Sequence, residues 1–135
     1  MAYYQYTVKY LCGEGDNDIL VRSTYRTAIN IHNPYNVFQR PVCWKVLSPA
    51  PDGTPIPPGA WVTVELPPDG GMEINCRRIS QFAGEILTGF VVIRSPNELD
   101  VVDVYTVECP DQPAVHLEIE TIPPKIIQTD QAMCP

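Results

Sequence analysis

Basic residues are scarce in this sequence, and no stretch of it is apolar over more than a few residues. Nine Lys and Arg residues stand against sixteen Asp and Glu residues, which gives a net charge of −7. Proteins that bind nucleic acid or an anionic membrane surface need clustered basic residues to neutralise the phosphates. The only adjacent basic pair is Arg77-Arg78. The composition therefore predicts no nucleic-acid partner, and the short apolar runs predict no insertion into a membrane.

Residue types that carry catalysis or bind transition metals are also few. The two histidines, His32 and His116, are far apart in the sequence, and none of the four serines lies in a GxSxG motif. No two of the five cysteines have the CxxC spacing of zinc ribbons and thioredoxin-like sites. A nucleophile needs an adjacent base, and an imidazole-bound metal needs matched ligands. The sequence therefore predicts a protein that is not an enzyme and holds no cofactor.

Proline and glycine, by contrast, are abundant, with fifteen and eight residues among 135. They separate short segments in which apolar and polar residues alternate, which is the period of half-buried β-strands. In the first such segment Tyr4, Tyr6, Val8 and Tyr10 alternate with polar residues. Similar segments cover residues 24–32, 41–48, 61–66, 72–76, 90–94, 99–107 and 115–120, while residues 77–85 offer the one plausible helical turn. The fold class predicted is all-β, a single-domain immunoglobulin-like β-sandwich of about eight short antiparallel strands.

The segment at 115–120 has the last clear alternation in the sequence. Val115, Leu117 and Ile119 form one face, and His116 and the two glutamates form the other. We expect the glutamates and His116 to point to solvent from this strand. The sandwich is predicted to span residues 1–122, and residues 123–135 to form a proline-bearing tail that packs on a partner.

The five cysteines leave two interpretations open. An odd number with wide spacing suits one or two long-range disulfides and a spare thiol, or a set of buried free thiols. Cys12, Cys76 and Cys109 each end an apparent strand. These three and Cys134 are the candidates for disulfide bonding.

Several of the predicted strands resemble a family of small, uncharacterised bacterial β-proteins. Residues 27–34 (TAINIHNP) and residues 89–106, which contain GFVVI and ELDVVDVYT, carry the resemblance, and residues 8–13 and 73–76 are similar as well. It covers most of residues 6–122 and rests on core strands, so it implies a fold and no activity. Many members of that family begin with export signals, and the resemblance therefore implies an extracytoplasmic protein and a Cys12–Cys76 bond. The first residues here contain neither the basic nor the apolar region of a signal peptide.

Two groups of acidic residues stand out. Glu14, Asp16 and Asp18 lie in a predicted turn at residues 13–18 and form a candidate calcium site, although the loop lacks the spacing of a calcium-binding loop and also suits an ordinary acidic turn. Asp103 interrupts an apolar run. Such a charge is consistent with a bulge, an edge strand or a contact with another chain.

The most favoured function is that of a non-catalytic structural or interaction protein, a homo-oligomer or a subunit of a larger assembly. Unpaired backbone groups at a sheet edge make strand addition an inexpensive mode of assembly. Besides Asp103, the candidate interface residues are Tyr3, Tyr4, Ile126 and Ile127, near the two ends of the chain. The alternative is a carbohydrate-binding module that uses exposed aromatic rings, with or without calcium.

Overall fold

A computed structural model describes residues 1–15, 21–48, 52–84, 87–111 and 115–135 of the chain. In these ranges the chain forms ten strands and one short helix: β1 (Ala2–Leu11), β2 (Gly13–Gly15), β3 (Ser23–His32), β4 (Arg40–Leu47), β5 (Val62–Leu66), β6 (Gly71–Asn75), α1 (Cys76–Ala83), β7 (Thr88–Ser95), β8 (Asp100–Glu108), β9 (Val115–Thr121) and β10 (Lys125–Gln128). The predicted all-β class is confirmed, with ten strands rather than about eight.

The strands form two antiparallel sheets. Sheet 1 has the order β10-β1-β7-β4-β5. Sheet 2 has the order β2-β3-β8-β9, and β6 joins the edge of β3 that β2 also occupies. Because β8 lies between β3 and β9 in sheet 2, β9 ends this sheet on one side.

The core lies between the two sheets. Successive side chains of a strand point to opposite faces, and the alternation in β1 therefore places Tyr6, Val8 and Tyr10 inward, where they are fully buried. Ile29 and Ile31 of β3 meet them from sheet 2 within the same apolar cluster. The predicted tyrosine-rich face of the first strand is thus part of the core from Tyr6 onward.

The hydroxyl group of Tyr6 joins the two sheets inside this core. It donates a hydrogen bond to the Leu99 carbonyl oxygen at 2.9 Å and accepts one from the Leu99 backbone N–H at 2.7 Å. A buried hydroxyl or backbone group without a partner costs roughly 1–3 kcal/mol. The Tyr6 hydroxyl is therefore a buried polar group with hydrogen-bond partners, and it satisfies both backbone groups of Leu99, the residue just before β8.

The short helix α1 packs beside the core. The side chain of Asn75 caps its first turn by accepting a hydrogen bond from the Arg78 backbone N–H at 3.3 Å. Ile79 is buried, and the Phe82 ring meets the buried Trp44 ring edge to face at 5.3 Å. The helical turn predicted at 77–85 is therefore present as Cys76–Ala83. No helix in the described part of the chain is long and apolar enough to cross a membrane.

Two strands were not predicted from the sequence. Gly13–Gly15, expected to be part of a turn, is β2 and pairs with the start of β3. Lys125–Gln128, expected to belong to a tail that packs on a partner, is β10 and pairs with residues 2–5 of β1. Residues 123–135 are therefore packed on their own chain, and the sandwich does not end at residue 122.

Two cysteine pairs lie at disulfide-bonding distance. Cys12 and Cys76, the pair implied by the family resemblance, have Cα atoms 5.5 Å apart. Cys43, which was not among the candidates, pairs with Cys134 at a Cα distance of 6.5 Å and holds the end of the chain against the outer face of sheet 1. Cys109, a candidate for disulfide bonding, is a free thiol, because the other four cysteines are paired with one another. The Ser23 hydroxyl donates to its sulfur at 3.7 Å.

Candidate functional site, an interaction surface

Strand β9 is the most exposed element of the sandwich. All seven of its residues, Val115–Thr121, are exposed to solvent. In the described ranges it pairs with β8 alone, so the backbone groups on its other side have no strand to bond. An edge of this length is a ready template for pairing with another strand.

The outward row of β9 is apolar. Residues that face each other in an antiparallel pair share a face of the sheet, and Ile119 lies opposite Val104 while Leu117 lies opposite Thr106. The inner face of β8 carries the buried Val101, so Val104 and Ile119 belong to the outer face of sheet 2. Val115, Leu117 and Ile119 are 59%, 61% and 63% exposed.

The prediction for the two faces of this strand is correct in part. His116, Glu118 and Glu120 are exposed to solvent, as expected, but the register places Glu120 opposite Asp103, on the face that looks toward sheet 1 rather than on the outer face. Since side chains alternate with a period of two, the pairing register alone decides which set faces the core side. The alternation and the solvent exposure of the charged residues are confirmed, and their assignment to the outer face of the sheet is wrong.

A shallow groove continues the apolar surface over β3. Its volume is about 540 Å³, and Ala28, Val104 and Thr106 form part of its floor, with Arg26 and Arg77 among its lining residues. Two residues that line the groove, Val104 and Thr106, lie directly opposite Ile119 and Leu117 of the exposed row. Together they make one continuous surface, which we call the β9 surface: the row Val115, Leu117 and Ile119 with its neighbours Val104 and Thr106.

Asp103 lies behind this surface, in the interior. It is 0% exposed, and neither of its carboxylate oxygens has a hydrogen-bond donor. The nearby Tyr105 hydroxyl has a single proton, which it donates to the Lys9 carbonyl oxygen at 2.7 Å. Burial, with the negative charge of Glu120 as a smaller cause, raises the pKa of Asp103 to about 6. The prediction that this residue marks an edge or a contact with another chain is wrong, because β8 is an inner strand of its sheet.

The other predicted interface residues meet at the pairing of β1 with β10. Tyr3 lies opposite Ile127, and Tyr4 lies opposite Ile126. Tyr3 is buried beneath the guanidinium group of Arg94, which is 4.8 Å from its ring centre, whereas Ile126 is 62% exposed. Tyr3 is therefore unavailable to a partner in this structure, and Ile126 is the accessible member of the group.

The candidate calcium ligands are only partly within the described residues. Glu14 is an exposed residue of β2, and Asp16 and Asp18 fall outside the described ranges. Within those ranges, no group of three or more His, Cys, Asp or Glu side chains is arranged to hold a metal ion.

His32 is engaged on both ring nitrogens. Nδ1 lies 2.9 Å from a carboxylate oxygen of Asp100, and Nε2 lies 2.8 Å from one of Asp69. These two carboxylates raise the pKa of His32, because they favour the imidazolium form. A ring held at both nitrogens has none left to act as a base for a nucleophile. This cluster was not predicted, because Asp69 and Asp100 are far from His32 in the sequence. The β3–β8 pairing brings Asp100 to His32, and the turn before β6 brings Asp69 to it.

Several of the aromatic rings needed for sugar stacking are occupied within the chain. The ring of Trp61 has the Lys45 ammonium group 4.4 Å and the Arg94 guanidinium group 4.7 Å from its centre. Tyr6, Tyr10 and Trp44 are in the core. These rings stack on cations of the chain or pack in its interior, and the carbohydrate-binding alternative gains no support from them.

Comparison with known proteins bears on the fold alone. No protein-family model matches the chain, and no curated protein matches it. The chain is similar to the crystal structure of Thermotoga maritima 1070, with a TM-score of 0.59 and 9% sequence identity over 89% of this chain and 90% of that one. At this identity the likeness extends to the arrangement of the strands and to nothing in the site.

Proposed function

We propose that this protein is a non-catalytic interaction subunit that assembles through strand β9. The observation that carries the proposal is the exposure of all seven β9 residues together with a strand edge that none of the other described strands covers. Strand addition at such an edge supplies main-chain hydrogen bonds, and alternate side chains supply specificity.

The composition of the outward row supports this function. Proteins blunt exposed sheet edges with charged side chains, prolines or bulges, because unprotected edges aggregate. The charged residues of β9, Glu118 and Glu120, lie on the face toward sheet 1. The outward row of Val115, Leu117 and Ile119 has no charge, and it is the row that an added strand would extend. Fully burying a Val, Leu or Ile side chain contributes about 1.5–3 kcal/mol, and since these three are 59%, 61% and 63% exposed, covering the remaining surface contributes at most about 1–2 kcal/mol each. A partner that covers the row thus gains several kcal/mol before backbone pairing is counted.

The two disulfides support a location outside the cytoplasm. Such bonds persist in oxidising compartments and are rare in the cytosol. Cys12–Cys76 joins the end of β1 to the start of α1, and Cys43–Cys134 fixes the C-terminal segment. We therefore place the assembling subunit in an extracytoplasmic compartment.

Sedimentation velocity over a range of protein concentrations tests the proposal. We expect the wild-type protein to associate as its concentration rises. Ile119→Lys places a charge in the outward row, and the loss of about 1–2 kcal/mol weakens association roughly 5- to 30-fold. Val37→Lys is the matched control, because Val37 is an equally exposed apolar residue, 68% accessible, in the loop before β4.

The outcomes separate clearly. Weakened association in Ile119→Lys with wild-type behaviour in Val37→Lys supports docking through β9. A wild-type protein that stays monomeric at all concentrations, or an equal effect of both substitutions, contradicts it. The carbohydrate-binding alternative stays a prediction, and binding to a glycan array that Ile119→Lys leaves intact would favour it.

A further inference from the structure

We infer that the partner of β9 is a second copy of this chain, paired antiparallel about a two-fold axis with Leu117 opposite Leu117 of the second copy. The inference rests on the proposed function and adds the identity of the partner and the register of the pairing. Three features of β9 lead to it: the face each side chain occupies, the order of its charges and its apolar row.

The alternation of side chains restricts the possible registers. Directly opposite residues of an antiparallel pair lie on the same face. For two identical strands to continue one sheet with their apolar rows on one side, odd-numbered residues must face odd-numbered residues. The symmetric registers that satisfy this condition are centred on a residue facing itself, and the middle of β9 offers Leu117, Glu118 and Ile119 as such centres.

The charges on the inner face select among these three registers. Centring on Ile119 places Glu118 opposite Glu120 twice, and centring on Glu118 places that glutamate opposite itself. Like charges directly opposite each other destabilise a strand pair. Centring on Leu117 instead places His116 opposite Glu118 of the second copy on both sides of the axis, where the imidazole N–H donates to the carboxylate. This register alone has complementary partners and no directly opposed glutamates among residues 115–119.

The same register aligns the apolar rows. Leu117 meets its own copy, and Val115 lies opposite Ile119 of the second copy on both sides of the axis. Each of these side chains is about 60% exposed in the single chain. The paired strands would join the two copies of sheet 2 into one sheet of ten strands, with the order β2-β3-β8-β9-β9-β8-β3-β2 and β6 beside β3 in each copy.

Disulfide trapping identifies the register, because only the residue that faces its own copy across the two-fold axis is placed to form a disulfide with it. Three variants, Leu117→Cys, Glu118→Cys and Ile119→Cys, are each made with Cys109→Ser, so that the introduced residue is the one free thiol beside the two native pairs. Directly opposite residues in antiparallel strands have Cα atoms about 4.5–5.5 Å apart, within the range for a disulfide. We expect Leu117→Cys to form a covalent dimer under mild oxidation at least tenfold faster than the other two. All three positions are exposed, and circular dichroism confirms that each variant is folded.

A charge exchange provides a second, non-covalent measurement by sedimentation. His116→Glu alone places a glutamate opposite Glu118 of the second copy on both sides of the axis and should weaken association about three- to tenfold. Adding Glu118→Lys to it places lysine opposite the new glutamate in this register and should restore association. In the register centred on Ile119, residue 116 faces residue 122, so His116→Glu alone would leave association unchanged and there would be no loss to restore. In the register centred on Glu118, the double variant would oppose lysine to lysine and glutamate to glutamate, so association would not be restored.

The possible results distinguish this inference from the proposed function. Fastest trapping at Leu117 with rescue by the double variant supports the register. Fastest trapping at Glu118 or Ile119, or association that depends on Ile119 without trapping at any of the three positions, overturns the inference while docking through β9 stands. A wild-type chain that never self-associates overturns both.

Discussion

Replacing Asp103 with asparagine removes a carboxyl group that is buried between the sheets. Its oxygens have no donor, and burial raises its pKa from the ordinary value of 3.8 to about 6. The folded protein therefore keeps the proton up to about pH 6, whereas the unfolded chain releases it near pH 4. The contribution of this group is most favourable below pH 4 and is lost as the pH rises through 4–6.

The size of this effect follows from the shift in pKa. A shift of one pKa unit corresponds to 1.36 kcal/mol. The shift of about two units at Asp103 therefore changes the free energy of unfolding by at most about 3 kcal/mol. In the wild-type protein this group lowers the free energy of unfolding by that amount between pH 4 and pH 7. Asp103→Asn has no proton to lose, and its stability should lack this part of the pH dependence.

Urea denaturation at pH values from 4 to 8 measures the difference. The free energy of unfolding of Asp103→Asn, relative to that of the wild type, should rise by about 3 kcal/mol from pH 4 to pH 7.5. Asp111→Asn, a change of the same type at an exposed position, should follow the wild-type curve. Parallel curves for Asp103→Asn and wild type would refute the assignment of Asp103 as a buried carboxyl group with a raised pKa.

Three further predictions concern stability. Tyr6→Phe should lower the free energy of unfolding by about 2–4 kcal/mol, because both backbone groups of Leu99 lose their buried partner. Cys134→Ser opens the Cys43–Cys134 bond, which joins residues 91 apart, and should cost about 4 kcal/mol and expose the C-terminal segment to proteolysis. His32→Gln should remove a stabilising contribution that is complete below pH 6.5 and is lost as the pH rises through the raised pKa of His32.

Each of these predictions has a control and a contradicting result. Tyr4→Phe, at a half-buried position of the same strand, should be nearly neutral, and equal losses for the two tyrosine variants would contradict the role of the buried hydroxyl. Cys109→Ser alters the free thiol and should leave proteolysis unchanged, and a Cys134→Ser protein as resistant as wild type would argue against the tether. For His32→Gln, a stability profile parallel to that of wild type between pH 5 and pH 9 would show that the two carboxylates do not act on this ring.

Most of the strands can be predicted from the sequence because their information is local. The alternation in β1, β3 and β4 and the prolines between segments mark strands without any knowledge of their neighbours. β10 could not be found in this way, since its four residues show no clear alternation. They are held by pairing with β1, and the segment that follows them is held by the Cys43–Cys134 disulfide. Both contacts join residues that are far apart in the sequence.

The candidate surface depended on information that alternation does not contain. The pattern of β9 separates Val115, Leu117 and Ile119 from the charged residues but is the same whichever set faces the core. The register with β8, in which Asp103 lies opposite Glu120, decides it. The signal for Asp103 itself was in the sequence, because a charge that interrupts an apolar run implies either an edge strand or a carboxyl group buried in an inner strand. Choosing between these needs the order of the strands.

Hydrogen exchange at residues 115–121, measured at low and high protein concentration, tests docking through β9 most directly. Alternate backbone N–H groups of an edge strand point away from its neighbour and exchange quickly when no strand covers them. The account predicts that these amides become protected as the concentration rises, and that Ile119→Lys abolishes this protection. Exchange in β9 that is equally fast at every concentration, while the rest of sheet 2 stays protected, would contradict it.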